Sequence, residues 1–413
     1  MTPAPPCRFC RTPLVHTFLD LGRQPLANSY LTPEQLAAGT ERSYPLHARV
    51  CHACFLVQVD AAAPPEAIFD ADYAYFSAYS ASWVEHARRY ADAMIERLGL
   101  GPESLVVEVA SNDGYLLQHF LARDIPVLGI EPAANTARAA RARGVRTEVV
   151  FFNEATALEL AARGMRADLM AANNVLAHTP DISGFVAGFP HVLKPEGVLT
   201  FEFPHLLSLI EKVQFDTIYH EHVTYLSLLA TEQVLRANGL RPFDVERLPT
   251  HGGSLRLFVC HLGSGREETD ALRALRAVEA AAGLDRIETY QGFTPRVEAV
   301  RASFRAFLET AREEGRRIGA YGAAAKGVTF LNYCGATAQD ITAAFDANPA
   351  KQGRFLPGSH IPIGPPSQLR TVRPDYVLIL PWNLQDEIMG QIGYIAEWGG
   401  RFVIASPRTR VLG

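Results

Sequence analysis

Two stretches of this chain, residues 105–202 and 317–404, alternate short apolar runs with amphipathic ones, and this restricts the fold more than any other feature. Leu105–Val109, Val127–Glu131, Asp168–Asn173 and Val198–Glu202 read as strands, with helices over Gly114–Arg123 and Asn135–Arg143. Parallel neighbours in a sheet need a long crossover, usually a helix, so this alternation predicts a doubly wound parallel sheet. The second series is Arg317–Tyr321, Ile341–Phe345, Tyr376–Leu380 and Arg401–Ile404. Before it come a strand at Ser254–Val259 and two charged, Ala-rich helices near 266–282 and 286–315. A chain of 413 residues is too long for one hydrophobic core. The fold class is therefore α/β, with two Rossmann-like units in tandem, and the divisions fall at 1–68, 69–250 and 251–413.

The first 68 residues read differently. They carry two knuckles, Cys7-x-x-Cys10 and Cys51-x-x-Cys54. Four thiolates in two pairs suit a tetrahedral Zn²⁺ and leave it no open position, so the metal would be structural. Redox disulfides and chance spacing are the competing accounts. The loop Leu21–Ala27 is turn-rich, and Ala63-Pro64-Pro65 reads as a linker.

The net charge of −5 and a pI near 6.2 argue against a general nucleic-acid or membrane-surface partner. No apolar run reaches the roughly 18 residues a membrane span needs, and the N-terminus lacks a signal pattern, so the chain is expected to be cytoplasmic. A monomer or small homo-oligomer is expected.

After the linker, Tyr73, Tyr75, Phe76 and Tyr79 cluster ahead of a helix over Ser82–Leu98, with Ser82 as N-cap and Gly99 as stop. The aromatics suit either a packing stripe or a lid over a site, with Tyr73 the favoured member. Glu108-Val-Ala110-Ser111-Asn112-Asp113-Gly114 ends a strand and opens a helix. Its spacing follows the E/D-x-G-x-G-x-G loop of S-adenosylmethionine-dependent methyltransferases, with Ala110 and Asn112 in place of two glycines. Small residues there let a cofactor approach the backbone. Glu131 closes the next strand, before Pro132, where a carboxylate accepts ribose hydroxyls. The missing G-x-G-x-x-G weakens a dinucleotide reading. Asn173, Asn174 and His178 follow the strand at 168–173, at the end of the sheet where ligands bind; a helix-cap or core role is the alternative for His178.

Tyr219-His220-Glu221-His222-Val223-Thr224-Tyr225 gathers imidazoles, a carboxylate and phenols. Imidazole exchanges protons near neutral pH, and a phenol can donate to a developing oxyanion. A polar surface loop is the bland account. Further on, Tyr321-Gly322-Ala-Ala-Ala-Lys326-Gly327 follows a strand and starts a helix, where backbone N–H groups and Lys326 could hold a pyrophosphate; tight packing of small residues would explain it equally. Asp346–Gly353, with Asn348 and Lys351, also follows a strand and could touch a ligand. His251-Gly252-Gly253 reads as an ordinary turn.

Taken together, the paired CxxC knuckles, E-V-A-S-N-D-G-Y-L-L, N-V-L-A-H-T-P-D, F-D-T-I-Y-H-E-H and Y-G-A-A-A-K-G resemble, in order and over almost the whole chain, the three-domain sugar C-methyltransferases. The resemblance implies an N-terminal zinc-binding module, a central class I methyltransferase sheet that binds S-adenosylmethionine, and a C-terminal Rossmann-like domain that holds the nucleotide of the substrate. It implies methylation of a dTDP- or GDP-linked 4-keto-deoxyhexose at carbon 3, through an enolate. By motif match His222 is the general base, Glu221 and Tyr219 stand at the reaction centre, and Asn174, His178 and Tyr73 line the pocket. Glu108, Ala110, Ser111, Asn112, Asp113, Gly114, Glu131, Pro132, Asn173 and Asn174 would hold the cofactor. Tyr225, Gly322, Lys326, Asn348 and Lys351 would hold the substrate. O- or N-methyl transfer, and a zinc-containing RNA-binding or scaffold protein, are the alternatives.

Overall fold

The computed structural model describes residues 4–60 and 76–413. In chain order the first strands are β1 (His16–Pro25), β2 (Ser43–Val50) and β3 (Val57–Val59). The middle of the chain adds β4 (Val106–Val109), β5 (Val127–Ile130), β6 (Thr147–Glu148), β7 (Ala167–Asn173), β8 (Leu193–Pro204), β9 (Thr224–Tyr225), β10 (Leu240–Leu248) and β11 (Ser254–His261). The last part adds β12 (Ile318–Tyr321), β13 (Ala344–Phe345), β14 (Ile363–Gly364), β15 (Tyr376–Ile379), β16 (Arg401–Ile404) and β17 (Arg410–Leu412).

The central sheet has the order β10-β11-β8-β7-β4-β5-β6. Its strands are parallel except β11, which runs antiparallel to both neighbours. This is a class I methyltransferase sheet. Strands β4 and β5 are buried along their whole length, as expected of strands covered by helices on both faces. The order reverses at β4, between β5 and β7, so the crevice for a ligand opens above the carboxyl ends of β4 and β7. The C-terminal sheet, order β14-β13-β12-β15-β16-β17, repeats the plan with a reversal between β12 and β15.

Four expectations shift. The hairpin β10–β11 belongs to the central sheet through β11–β8 pairing, so a boundary at 250 cuts that hairpin, and the strand at Ser254 is the last of the central sheet. Much of Leu21–Ala27 is extended within β1, whose register slips absorb the turn residues. The helix Ala81–Leu98 is capped by Ser80, whose hydroxyl accepts from the Trp83 amide, and not by Ser82; Gly99 does end it, at φ 62°. Finally, the N-terminal sheet, order β1-β2-β3-β9, is completed by a strand from the histidine-rich box: Val57 pairs with Tyr225 and Gln58 with Thr224.

One hydrophobic core runs across these divisions. It joins Phe18 and Leu46 of the N-terminal module, Phe215 and Tyr225 beside the box, and Phe293, Phe304 and Ile318 further on. The Phe18 and Phe293 rings stack with centroids 4.7 Å apart. The box therefore lies at the junction of all three parts.

Candidate active site

The loop after β4 holds its shape by a repeated backbone device. Ala110 (φ 59°), Asn112 (φ 50°) and Gly114 (φ 79°) are all left-handed, at the three positions where the glycine-rich pattern expects glycine. Such a conformation costs a non-glycine residue about 1–2 kcal/mol, so something must enforce it. Glu131, buried at the end of β5, does so: one carboxylate oxygen accepts from the Asn112 amide and the other from the Ala133 amide, both at 2.9 Å. Burial pushes the Glu131 carboxyl up, and the two amides pull it back. Burial, with Glu131 and Asp113 nearby, pushes the Glu108 carboxyl well up.

The groove also holds buried polar atoms with no hydrogen-bond partner among the described residues: Ser111 Oγ, Asp113 Oδ1, Asn173 Oδ1 and Asn174 Oδ1. Unpaired buried acceptors are rare without a ligand or water to meet them. A carboxylate at the ribose position and such atoms beside the switch point fit S-adenosylmethionine. Pro132 follows Glu131 at the groove's edge. Two of these side chains also bond within the protein: Asn112 Oδ1 accepts from the Ser77 amide, and Asp113 Oδ2 accepts from the Ala78 amide and pairs with Arg143. They pin the start of the helix Ala81–Leu98 over the loop. Tyr73, expected in this region, lies outside the described residues.

The box sits across the crevice. His222 Nδ1 lies 3.1 Å from the Thr217 carbonyl, and Nε2 2.8 Å from the Tyr219 hydroxyl. A carbonyl can only accept, so Nδ1 carries the proton, and Nε2 is left as the acceptor of the Tyr219 hydroxyl. The ring of His178 meets His222 edge-on at 4.7 Å. Burial lowers both imidazoles, His178 to about 4 and His222 well below its usual value, with His178, His251 and Lys326 adding like charge to His222. Both rings are therefore neutral at pH 7. Burial raises the Glu221 carboxyl, which accepts from Asn28 Nδ2 at 2.7 and 2.8 Å. Tyr225 is buried in β9, and its hydroxyl points at the Thr217 carbonyl, 3.5 Å away. Its ring lies 6.3 Å from that of His222.

The C-terminal switch point faces the same space. Lys326 opens the helix Ala325–Cys334, donates to Asn383 Oδ1 at 2.7 Å, and lies 4.5 Å over the Trp382 ring. Trp382 Nε1 in turn donates to Asp216 Oδ2 at 2.6 Å; burial raises Asp216 to about 6, and Lys326 opposes the rise. Lys351 donates to the Ala323 carbonyl at 2.8 Å, while Asn348 Oδ1 accepts from Ala350 within its own turn. Gly322 is left-handed at φ 84°. His251, which reads as a plain turn, is also left-handed, and its ring leans on Trp83 at 5.3 Å.

Asn28, Trp382 and Asn383 are absent from the sequence reading, and Asp216 enters it only inside the F-D-T-I-Y-H-E-H motif, with no role. Trp382 and Asn383 follow β15, so the switch-point rule applied to the second sheet would have found them. Asn28 carries no local signal, because its partner is 193 residues away.

In the N-terminal module the four cysteines converge. Sulfur–sulfur distances are 3.6 Å for Cys7–Cys54, 3.4 Å for Cys10–Cys51 and 3.6 Å for Cys10–Cys54, and all four sulfurs lie within 4.8 Å of one another. A tetrahedron with Zn–S bonds of about 2.3 Å has edges of about 3.8 Å. The donor set fits a closed, structural Zn²⁺ site. Gln58 Nε2 touches Cys7 Sγ at 3.2 Å, as outer contacts of metal ligands do.

Comparison with known proteins meets this geometry. Residues 7–69 match the family described as "Putative zinc binding domain", 83–244 a methyltransferase domain, and 249–407 the C-methyltransferase C-terminal domain. The C-methyltransferase NovU of Streptomyces niveus is 36% identical over 410 residues, covering 99% of this chain and 97% of that protein. The chain belongs to this C-methyltransferase family. A ubiquinone biosynthesis O-methyltransferase of Rhodopseudomonas palustris is 24% identical over 157 residues, covering 33% of this chain and 62% of that one. Among solved structures, a Burkholderia thailandensis 1,6-didemethyltoxoflavin N1-methyltransferase is 21% identical, covering 50% of this chain and 94% of that one, with a TM-score of 0.36. This C-methyltransferase uses S-adenosylmethionine and carries a zinc-binding module. The O- or N-transfer and scaffold alternatives give way to C-methyl transfer. No helix among its described residues is long and apolar enough to cross a membrane.

Proposed function

We propose that this C-methyltransferase methylates the carbon next to the ketone, at carbon 3, of a dTDP- or GDP-linked 4-keto-deoxyhexose. The observation that carries the reading is the fixed neutral tautomer of His222, with Nε2 free of its own proton and bonded to the Tyr219 hydroxyl. Carbon becomes a nucleophile only when a base takes its proton and the resulting oxyanion is stabilised. A neutral imidazole can take that proton at Nε2, directly once the substrate displaces Tyr219, or through the Tyr219 hydroxyl. Its Nδ1–H stays on the Thr217 carbonyl, which also steadies the imidazolium that forms. Tyr219, or His178 against it, donates to the enolate oxygen; removing such a donor costs about 10²–10³ in rate. S-adenosylmethionine supplies an electrophilic methyl group when bound. The loop 108–114 and Glu131 would hold it, and Asn174 and His178 would border its reactive end. Lys326, Asn383 and the Gly322 loop support a nucleotide diphosphate at the second switch point, on the far side of the same space. The reduced, metal-ready cysteines support a cytoplasmic enzyme.

The test is deuterium wash-in at the substrate carbon in D₂O without methyl donor, alongside methyl transfer from labelled S-adenosylmethionine. The parent should do both. His222→Ala, folded and still binding S-adenosylmethionine, should lose both. Exchange that survives in His222→Ala would remove His222 as the base.

A further inference from the structure

The N-terminal module enters the active site with side chains as well as with its zinc-held sheet. We infer that Asn28 is a positioning residue for Glu221, and that Asn28 and Tyr30 together form the wall of the sugar pocket between the catalytic box and the nucleotide loop. The claim for the sugar pocket rests on the substrate proposed above; the claim for Asn28 does not.

Asn28 follows β1, and its Nδ2 reaches both oxygens of Glu221 at 2.7 and 2.8 Å. Donation from Asn28 favours the ionised carboxylate, against the burial that raises it. Asn28 therefore holds a charge that burial opposes. The titratable groups near Glu221 are the Tyr30 phenol, from the same module as Asn28, and the His178 ring against its backbone, while His220 and His222 are its neighbours in sequence. Among the described residues no lysine or arginine side chain bonds to it, so an amide carries this task. The spare lone pairs of an ionised Glu221 suit a sugar hydroxyl.

Tyr30, two residues on, gives its hydroxyl proton to the carbonyl of Ala323, inside the Gly322–Lys326 loop; Asn28 Oδ1 stands 3.4 Å from the same hydroxyl. Lys351 lies 5.0 Å over the Tyr30 ring and donates to that same carbonyl. The neighbouring Leu31 exchanges backbone hydrogen bonds with Phe355, at 3.1 and 2.9 Å. One short segment thus spans from Glu221 to the loop and turn of the C-terminal sheet. The Asn28 side chain is exposed, so its contact with Glu221 is not a demand of core packing.

The experiment uses the full zinc-loaded chain and the variants Asn28→Ala, Asn28→Asp and Tyr30→Phe. Without substrate, carboxyl ¹³C NMR follows Glu221, assigned by the signal lost in Glu221→Gln. Loss of one charge-assisted hydrogen bond should raise the Glu221 midpoint by about one pH unit in Asn28→Ala, and further in Asn28→Asp, where a second carboxylate faces it. Zinc stoichiometry should stay at the parent value. With the 4-ketosugar nucleotide, kcat should fall about tenfold in Asn28→Ala, while KM for S-adenosylmethionine stays put. Tyr30→Phe should raise KM for the sugar nucleotide with kcat little changed. An unmoved Glu221 midpoint, or zinc loss in Asn28→Ala, would overturn the positioning role; an unmoved KM in Tyr30→Phe would overturn the wall. If the parent fails to turn over the ketosugar, the substrate reading falls, and the Glu221 titration still judges Asn28.

Discussion

Gly322 has two possible reasons to be glycine, and they predict different losses. A Cβ at Gly322 would stand 2.6 Å from Pro381 Cδ and 2.8 Å from Pro381 Cγ, and the backbone there is left-handed at φ +84°. Pro381 is buried, and its ring has little freedom to yield. Gly353 offers the control: φ is +77°, and no atom lies within 4 Å of the added Cβ. Alanine at either position bears a left-handed cost of about 1–2 kcal/mol, partly offset by about 0.4–1 kcal/mol from the stiffer unfolded chain. Gly353→Ala should therefore cost about 1 kcal/mol or less. Gly322→Ala adds an overpacking cost of about 1–3 kcal/mol, for a total of about 2–4 kcal/mol. The assay is the urea midpoint of the two variants against the parent, read by tryptophan fluorescence, because Trp382 adjoins Pro381. Equal losses would show that the Pro381 contact is not what excludes a side chain. A ligand role for Gly322 would then be the better account, and nucleotide affinity would fall in Gly322→Ala without loss of stability.

Three further outcomes follow from the site. The acid limb of kcat/KM should lie below the ordinary imidazole value of about 6.5, because burial lowers His178 to about 4 and also lowers His222. These rings are neutral bases above their folded values and lose function only as pH falls through them; a limb at or above 6.5 in a kcat/KM profile would contradict this. Ala110→Gly relieves the left-handed strain of about 1–2 kcal/mol against about 0.4–1 kcal/mol of added unfolded-state freedom. A gain of under about 1 kcal/mol in denaturant midpoint is expected, with S-adenosylmethionine affinity unchanged by calorimetry. Cys51→Ser should lower zinc content and expose β3 and β9 to amide exchange, while S-adenosylmethionine binding persists in the separate central crevice; protection of Thr224 and Tyr225 at the parent level would refute the link.

Local pattern made much of this legible. Buried parallel strands such as β4 and β5 are largely apolar and alternate with helices, so the sheet itself was readable. The paired cysteines behaved the same way, because metal ligands are set by spacing. What stayed hidden depends on distance along the chain. Nothing local shows that Thr224 and Tyr225 form a strand, because their partner β3 lies far up the chain. The strand at Ser254–Val259 reads as the start of a new unit, but it pairs with β8 and belongs to the central sheet. Asn112 and Asp113 fit a cofactor motif, while their side chains close on Ser77, Ala78 and Arg143.

The two Rossmann-like units share a device that motif spacing does not reveal. In the first, Glu131 follows the second strand and binds the amide of Asn112, in the loop after the first strand, and that of Ala133, two residues on. In the second, Asp346 follows β13 and binds the amide of Ala323, in the loop after β12, and that of Asn348, two residues on, at 2.6 and 2.8 Å. Each carboxylate thus ties its own turn to the neighbouring loop. This explains how the first loop survives without two of its glycines: the carboxylate, not conformational freedom, fixes the left-handed turn, and the loop is shaped before a ligand arrives. The same logic assigns the acidic residue a double task, since lone pairs not used by the amides remain for a sugar hydroxyl. A Glu131→Gln change would keep the size and lose one acceptor. The loop should then loosen together with cofactor affinity, whereas a purely ribose-binding role would cost affinity and leave the amide of Asn112 protected from exchange.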